Sequence, residues 1–169
     1  MFSCFRKKKK NNKNKNIRTN KEDYQVIKEL HSTHNKKIYI VTQDNKKYIM
    51  KVFKEITKNN SEIFSVLYGY YHPNIQGFYK VYQKNGFYYT IHEYVDGDDL
   101  SNCLDNGRRF TEKEIYSIFV QLVDGLDYLH NFGIIHCDLK LENIIIDEYN
   151  RIKIIDFDLA IFIGHSDKY

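Results

Sequence analysis

The rhythm of apolar and polar positions changes twice along the 169-residue chain. From Tyr24, three segments (YQVIKEL, KKIYIVT and KYIMKVF) are rich in β-branched and aromatic residues with partial alternation, which predicts strands. Asp44-Asn45 supplies the turn between the second and third. From about Thr57 to Tyr70 the period lengthens and predicts a helix with Ile63, Val66, Leu67 and Tyr70 on one face. GFYKVYQ and GFYYTIHEY return to strand character. Asn85-Gly86 between them has the residue types that accept φ > 0 in a tight hairpin. After Gly97 the chain turns helical. Thr111-Glu112-Lys113-Glu114 fits a capping box, and Ile115, Ile118, Phe119, Leu122, Val123, Leu126 and Leu129 follow at helical spacing. That stripe is expected to be core rather than a cofactor site. Two short apolar strands, ENIIID and RIKIID, close the pattern around a turn at Glu148-Tyr149-Asn150. No internal repeat appears.

The first 22 residues show no such rhythm. Residues 1–21 hold nine basic side chains and no acid, whereas residues 22–169 carry a net charge of −5, so the formal +4 describes a basic leader on a mildly acidic body. Too few apolar residues are present there to repay the entropy of folding, which predicts disorder. Its expected partners are polyanions, a nuclear import receptor or, through Cys4 beside the lysines, an anionic membrane. A solvated leader with no role is the alternative. Ile, Lys, Asn and Tyr make up 73 of the 169 residues, so lone examples of these carry little weight as motifs. Three scattered cysteines (Cys4, Cys103 and Cys137) exclude a disulfide framework and a CxxC zinc site. With neither a signal peptide nor a transmembrane stretch, an intracellular, cytoplasmic setting is expected.

The chemistry-bearing residues fall in one order. Lys51 lies in the strand YIMKVF, and HPNI occupies residues 72–75. HEYVDGDDL spans 92–100, His136-Cys137-Asp138-Leu139-Lys140-Leu141-Glu142-Asn143 follows the long helix, and Asp156-Phe157-Asp158 follows the last strand. In these motifs the chain resembles the eukaryotic-type serine/threonine protein kinases, from about Tyr24 to its end. The resemblance implies an α+β, protein-kinase-like fold. A five-stranded antiparallel small lobe (about 23–95) precedes the first part of a mainly helical large lobe (96–169). It also implies transfer of the ATP γ-phosphate to a protein Ser/Thr hydroxyl. Asp138 would be the base and Lys140 would meet the γ-phosphate; Lys51 would reach the α- and β-phosphates, and Asn143 and Asp156 would hold Mg2+. Leu30, Ile38 and Ile145 are further cofactor-binding positions. Glu93 and Val95 belong to the adenine-binding hinge, Asp99 would meet the ribose, and Glu62 is the candidate helix partner of Lys51. His136 is expected to be structural, packed under Phe157.

The sequence departs from the family pattern at several points. Where a glycine-rich loop is expected, residues 31–36 read His-Ser-Thr-His-Asn-Lys, so backbone amides lose their close approach to phosphates. His31, His34 and Lys36 offer cations there, which as flexible side chains substitute poorly for preorganised amides. Ile49 replaces a small residue over the adenine, and His92 is a polar gatekeeper. Cys137 replaces the Arg that pairs with a phosphorylated activation segment. Asp158 replaces a Gly, and either joins the metal shell or repels ATP. The chain stops at Tyr169, eleven residues after Asp158, before the rest of the activation segment and the central large-lobe helices. The expectation is therefore an incomplete kinase domain with a partner supplying the missing helices. A catalytically impaired pseudokinase or relic acting as a binding module is the alternative, and a small-molecule kinase of the same superfold is a further rival.

Overall fold

The computed structural model describes residues 24–69 and 71–164. The basic leader and Tyr70 lie outside the described residues. Five antiparallel strands form one sheet in the order β1-β2-β3-β5-β4: β1 (Gln25–Ser32), β2 (Lys36–Gln43), β3 (Lys46–Phe53), β4 (Phe78–Lys84) and β5 (Phe87–Glu93). Both expected turns form, with positive φ at Asp44 and Asn45 and again at Asn85 and Gly86. The register pairs Ile38 with Lys51, Lys51 with Thr90, and Ile49 with His92. Because side chains alternate across a strand, these residues share one face with Lys36. The opposite face carries Tyr39, Val41, Met50, Val52 and Ile91, which form their own buried cluster under a layer of tyrosines.

Helix α1 (Lys58–Leu67) starts at Thr57, whose hydroxyl accepts from the Asn60 amide while the Asn60 side chain accepts from the Thr57 N–H. It ends at Leu67, before the expected Tyr70, because Tyr68 is extended and Gly69 adopts φ 81°. Its buried residues are Ile63, Phe64 and Leu67. The Phe64 ring stacks on Phe78 of β4 at 4.9 Å, a contact the predicted face omits.

The second part contains β6 (Asp98–Asp99), α2 (Leu100–Asp105), α3 (Glu112–Asn131), β7 (Ile134–Ile135), a 3-10 turn (Leu141–Asn143), β8 (Ile144–Ile146), β9 (Ile152–Ile154) and β10 (Ile161–Phe162). Strands β6, β8 and β9 form one small sheet, and β10 pairs with β7. One continuous core joins both parts, with Ile63, Phe64 and Phe78 on one side and Leu129, Ile134, Ile152, Ile154 and Phe157 on the other. The HPNI segment locks this junction. Asn74 donates to the Ile152 carbonyl, and the Ile154 N–H donates to the Asn74 carbonyl. The α3 stripe is only partly core. Ile118, Leu122 and Leu126 pack against the core and Leu129 is fully buried, but Ile115, Phe119 and Val123 face outward with Tyr116 and Val120, Phe119 being 63% exposed. The helix is apolar on two faces, and the described residues cover one of them.

Candidate active site

The site lies where the inner face of the five-stranded sheet meets the loops after β7 and β9. Two of its residues sit in left-handed backbone conformations, Cys137 (φ 60°) and Asp156 (φ 63°). Such conformations cost about 1–3 kcal/mol each and persist only where surrounding contacts over-determine them. Here His136 supplies those contacts. Its buried ring donates from Nε2 to the Ile155 carbonyl at 3.0 Å, accepts from the Asp138 N–H at Nδ1, and meets Phe157 edge to face at 5.1 Å. Burial lowers the His136 pKa, which suits this neutral tautomer. His136 thus joins both loops, as its expected structural role requires.

Asp138 and its neighbours form one half of the site. The Asp138 carboxylate accepts from Asn143 Nδ2 at 2.9 Å and lies 3.0 Å from Lys140 Nζ. The Lys140 hydrogen bond leads the effects that hold its pKa below the ordinary carboxylate range. Asp156 and Asp158 form the other half. Lys51, 4% exposed, reaches Asp156 Oδ1 at 2.5 Å and Asp158 Oδ1 at 2.7 Å. Burial pushes Asp156 up, but Lys51 and Lys36 outweigh it and hold the carboxyl far below its usual range.

The structure brings Lys51, Asp138, Lys140, Asn143 and Asp156 together and leaves Glu62 out. The Glu62 carboxylate is 3.7 Å from Lys58 Nζ, on the outer side of α1. Lys51 has taken Asp158 as its second partner instead, a pairing absent from the sequence-based expectation. The α1 helix is tied to the same segment by asparagines, with Asn59 donating to the Ala160 carbonyl and Asn60 to that of Asp158. Asp99 caps α2, accepting from the Asn102 N–H and side chain. Leu30 lies at an irregularity of β1, exposed; Ile38 stands opposite Lys51, and Ile145 lies between the buried Ile144 and Ile146. His92 is fully buried and hydrogen-bonded to Thr90, and burial, then Lys51, push its pKa well below the ordinary value.

At the hinge, Glu93 is heavily used. Its N–H donates to the Gly77 carbonyl, its carbonyl accepts from Gln76 Nε2, and its carboxylate pairs with Lys153 at 2.9 Å. Val95, two residues on, makes no backbone–backbone hydrogen bond among the described residues. Gly97 lets the following loop lie against β8, since a Cβ there would stand 2.3 Å from the Ile146 carbonyl oxygen. A cavity of about 950 Å3 lies behind this hinge, beside Tyr71, Arg108 and Lys153, and includes neither Lys51 nor Asp156.

The donor set fits Mg2+ with a nucleotide. Asn143 uses its Nδ2 on Asp138, and no protein donor reaches its Oδ1 among the described residues. That oxygen and the Asp156 carboxylate are hard ligands of the kind Mg2+ takes alongside phosphate oxygens. Among the described residues no cluster of three or more His, Cys, Asp or Glu side chains could hold a metal ion by itself.

A five-stranded antiparallel sheet over the Asp138 loop and the Asp156 loop, with Lys51 on a strand between them, defines a kinase-like fold. The protein kinase domain family model matches residues 24–169, and the chain belongs to the protein kinase family. Similar proteins include serine/threonine-protein kinase RUNKEL of Arabidopsis thaliana, 40% identical over 95 residues (56% of this chain, 7% of that protein). Hormonally up-regulated neu tumor-associated kinase of Homo sapiens is 32% identical over 143 residues (83% of this chain, 20% of that protein). The chain thus spans a fifth or less of these relatives. The crystal structure of Rad53 1–466 in complex with AMP-PNP superposes with a TM-score of 0.72 at 26% identity, covering 81% of this chain and 38% of that one. No helix among the described residues is long and apolar enough to cross a membrane.

Proposed function

We propose that this chain carries the nucleotide-binding and catalytic part of a serine/threonine protein kinase using ATP and Mg2+. The observation that supports it most is the convergence of Lys51, Asp138, Lys140, Asn143 and Asp156, from β3 and two separate loops. Lys51 neutralises the α- and β-phosphates, and Lys140 the γ-phosphate. Mg2+, held by Asn143 and Asp156, would offset charge on the transferred group. The substrate hydroxyl oxygen forms the new P–O bond as the β–γ bridging bond breaks, ADP leaves, and the hydroxyl proton passes to Asp138. A carboxylate held below its ordinary range is a weak base. Asp138 therefore chiefly orients the hydroxyl and takes the proton late.

The test is label transfer from ATP to a Ser/Thr protein substrate by the full chain, wild type against Asp138→Asn. The expected loss is about 10²–10⁴-fold. Equal transfer by both refutes the assignment. The binding-module reading draws on the absent Lys51–Glu62 pair and the loop without glycines. It predicts nucleotide binding with no transfer in either protein. The outward face of α3 is the proposed seat of a polypeptide partner supplying the helices that would cover it. Polyanion or anionic-membrane contact by residues 1–22 and a cytoplasmic location are proposed from sequence.

A further inference from the structure

The segment that would cover the phosphates, Thr33-His34-Asn35, spends its backbone on itself. The Thr33 N–H donates to the Lys36 carbonyl at 2.8 Å, the Lys36 N–H donates to Thr33 Oγ1 at 3.0 Å, and the Asn35 carbonyl accepts from the Lys54 N–H. No residue from 31 to 36 has positive φ, so the amides do not curl into an anion-binding concavity. His34 turns to Lys54, at 2.8 Å. Lys36 does the opposite. As the first residue of β2 it shares the inner face with Ile38 and Lys51, and its ammonium lies 2.6 Å from Asp158 Oδ2 and 3.9 Å from Asp156 Oδ2. Lys51 holds the other oxygen of the same Asp158 carboxylate. Two ammonium groups therefore bracket one carboxylate at the position where phosphates meet Lys51. The Lys36 side chain is 26% exposed, against 91% for Lys58 on the outer surface, so it is held rather than free.

We propose that Lys36 is a second phosphate-binding cation of the nucleotide site, positioned by Asp158, which takes over the work of the missing loop glycines. The inference rests on the nucleotide reading above. The two lysines and the two aspartates balance in charge. A triphosphate entering with a cation on Asp156 adds negative charge that Lys36 can meet from where it stands beside Asp158. On this account Asp158 supports nucleotide binding rather than repelling it.

The test is calorimetric titration of the full chain with Mg-ATP, Mg-ADP and adenosine, in wild type, Lys36→Met, Lys36→Gln and Lys36→Arg, each checked by circular dichroism. Lys36→Met and Lys36→Gln should weaken Mg-ATP about ten- to a hundredfold, the range of one charge-assisted hydrogen bond. They should weaken Mg-ADP less and leave adenosine within about twofold, and Lys36→Arg should restore most of the loss. A clasp that only braces the fold would weaken all three ligands alike, or none, and either result overturns the proposal. Wild-type chain that binds adenosine but gains nothing from added phosphates also overturns it. Wild-type chain that binds none of the three defeats the nucleotide reading itself, and the role of Lys36 with it.

Discussion

Replacing Lys51 by Met removes one ammonium that serves two carboxylates. The hydrophobic stem survives, so the effect reports charge. Breaking a fully buried pair costs about 3–5 kcal/mol, and an exposed one about 0–1. Lys51 is buried, but Asp156 is 27% and Asp158 17% exposed, so water and Lys36 take up part of the loss. The expected destabilisation is about 2 kcal/mol, between those limits. Urea unfolding of the full chain followed by far-ultraviolet circular dichroism gives this directly. A double-mutant cycle with Asp158→Asn should show coupling of about 1 kcal/mol, because the two groups are in direct contact while Lys36 and Asp156 keep part of the pairing. Glu62→Gln in the same assay should change stability by less than about 0.5 kcal/mol, since its partner Lys58 is on the surface. Coupling of Lys51 to Glu62 rather than to Asp158 would refute the pairing and restore the family arrangement.

His92 makes stability depend on pH. Its folded pKa is depressed, so below about pH 6.5 the unfolded chain gains a proton that the folded chain refuses. Stability should fall between neutral pH and 5.5, by at most about 1.4 kcal/mol from this group, with His136 adding in the same direction. His92→Met should flatten the slope, and a wild type equally stable at pH 7.5 and 5.5 contradicts the buried neutral ring. Changing the outward Phe119 and Val123 together to Ser should leave the unfolding midpoint nearly unchanged and reduce self-association in light scattering. A large loss of stability would mean that these side chains are already buried.

Features under short-range control were readable along the chain. Strand alternation, the Asp44-Asn45 and Asn85-Gly86 turns and the Thr111–Glu114 capping box all depend on neighbours a few residues apart. Each was legible without a fold. The catalytic loop was legible for the same reason: Asp138, Lys140 and Asn143 lie within six residues and meet by local chain geometry. Long-range packing settled a set of competitions that no local pattern records. Lys51 has three carboxylates available, one on α1 and two that arrive from 105 and 107 residues away. The rotation of α1, set by burying Ile63, Phe64 and Leu67, turns Glu62 outward and leaves Lys51 to Asp156 and Asp158. Lys36 stood in the sequence only as one of three cations, with His31 and His34, in place of the loop glycines, until the strand register placed it on the face of Lys51. The apolar stripe of α3 could not announce which of its residues would be covered, because a helix with two apolar faces takes its burial from whatever packs on it. Ile75 and Ile154 close on Gly125 along one face of α3, while Phe119 and Val123 on the other stay exposed among the described residues.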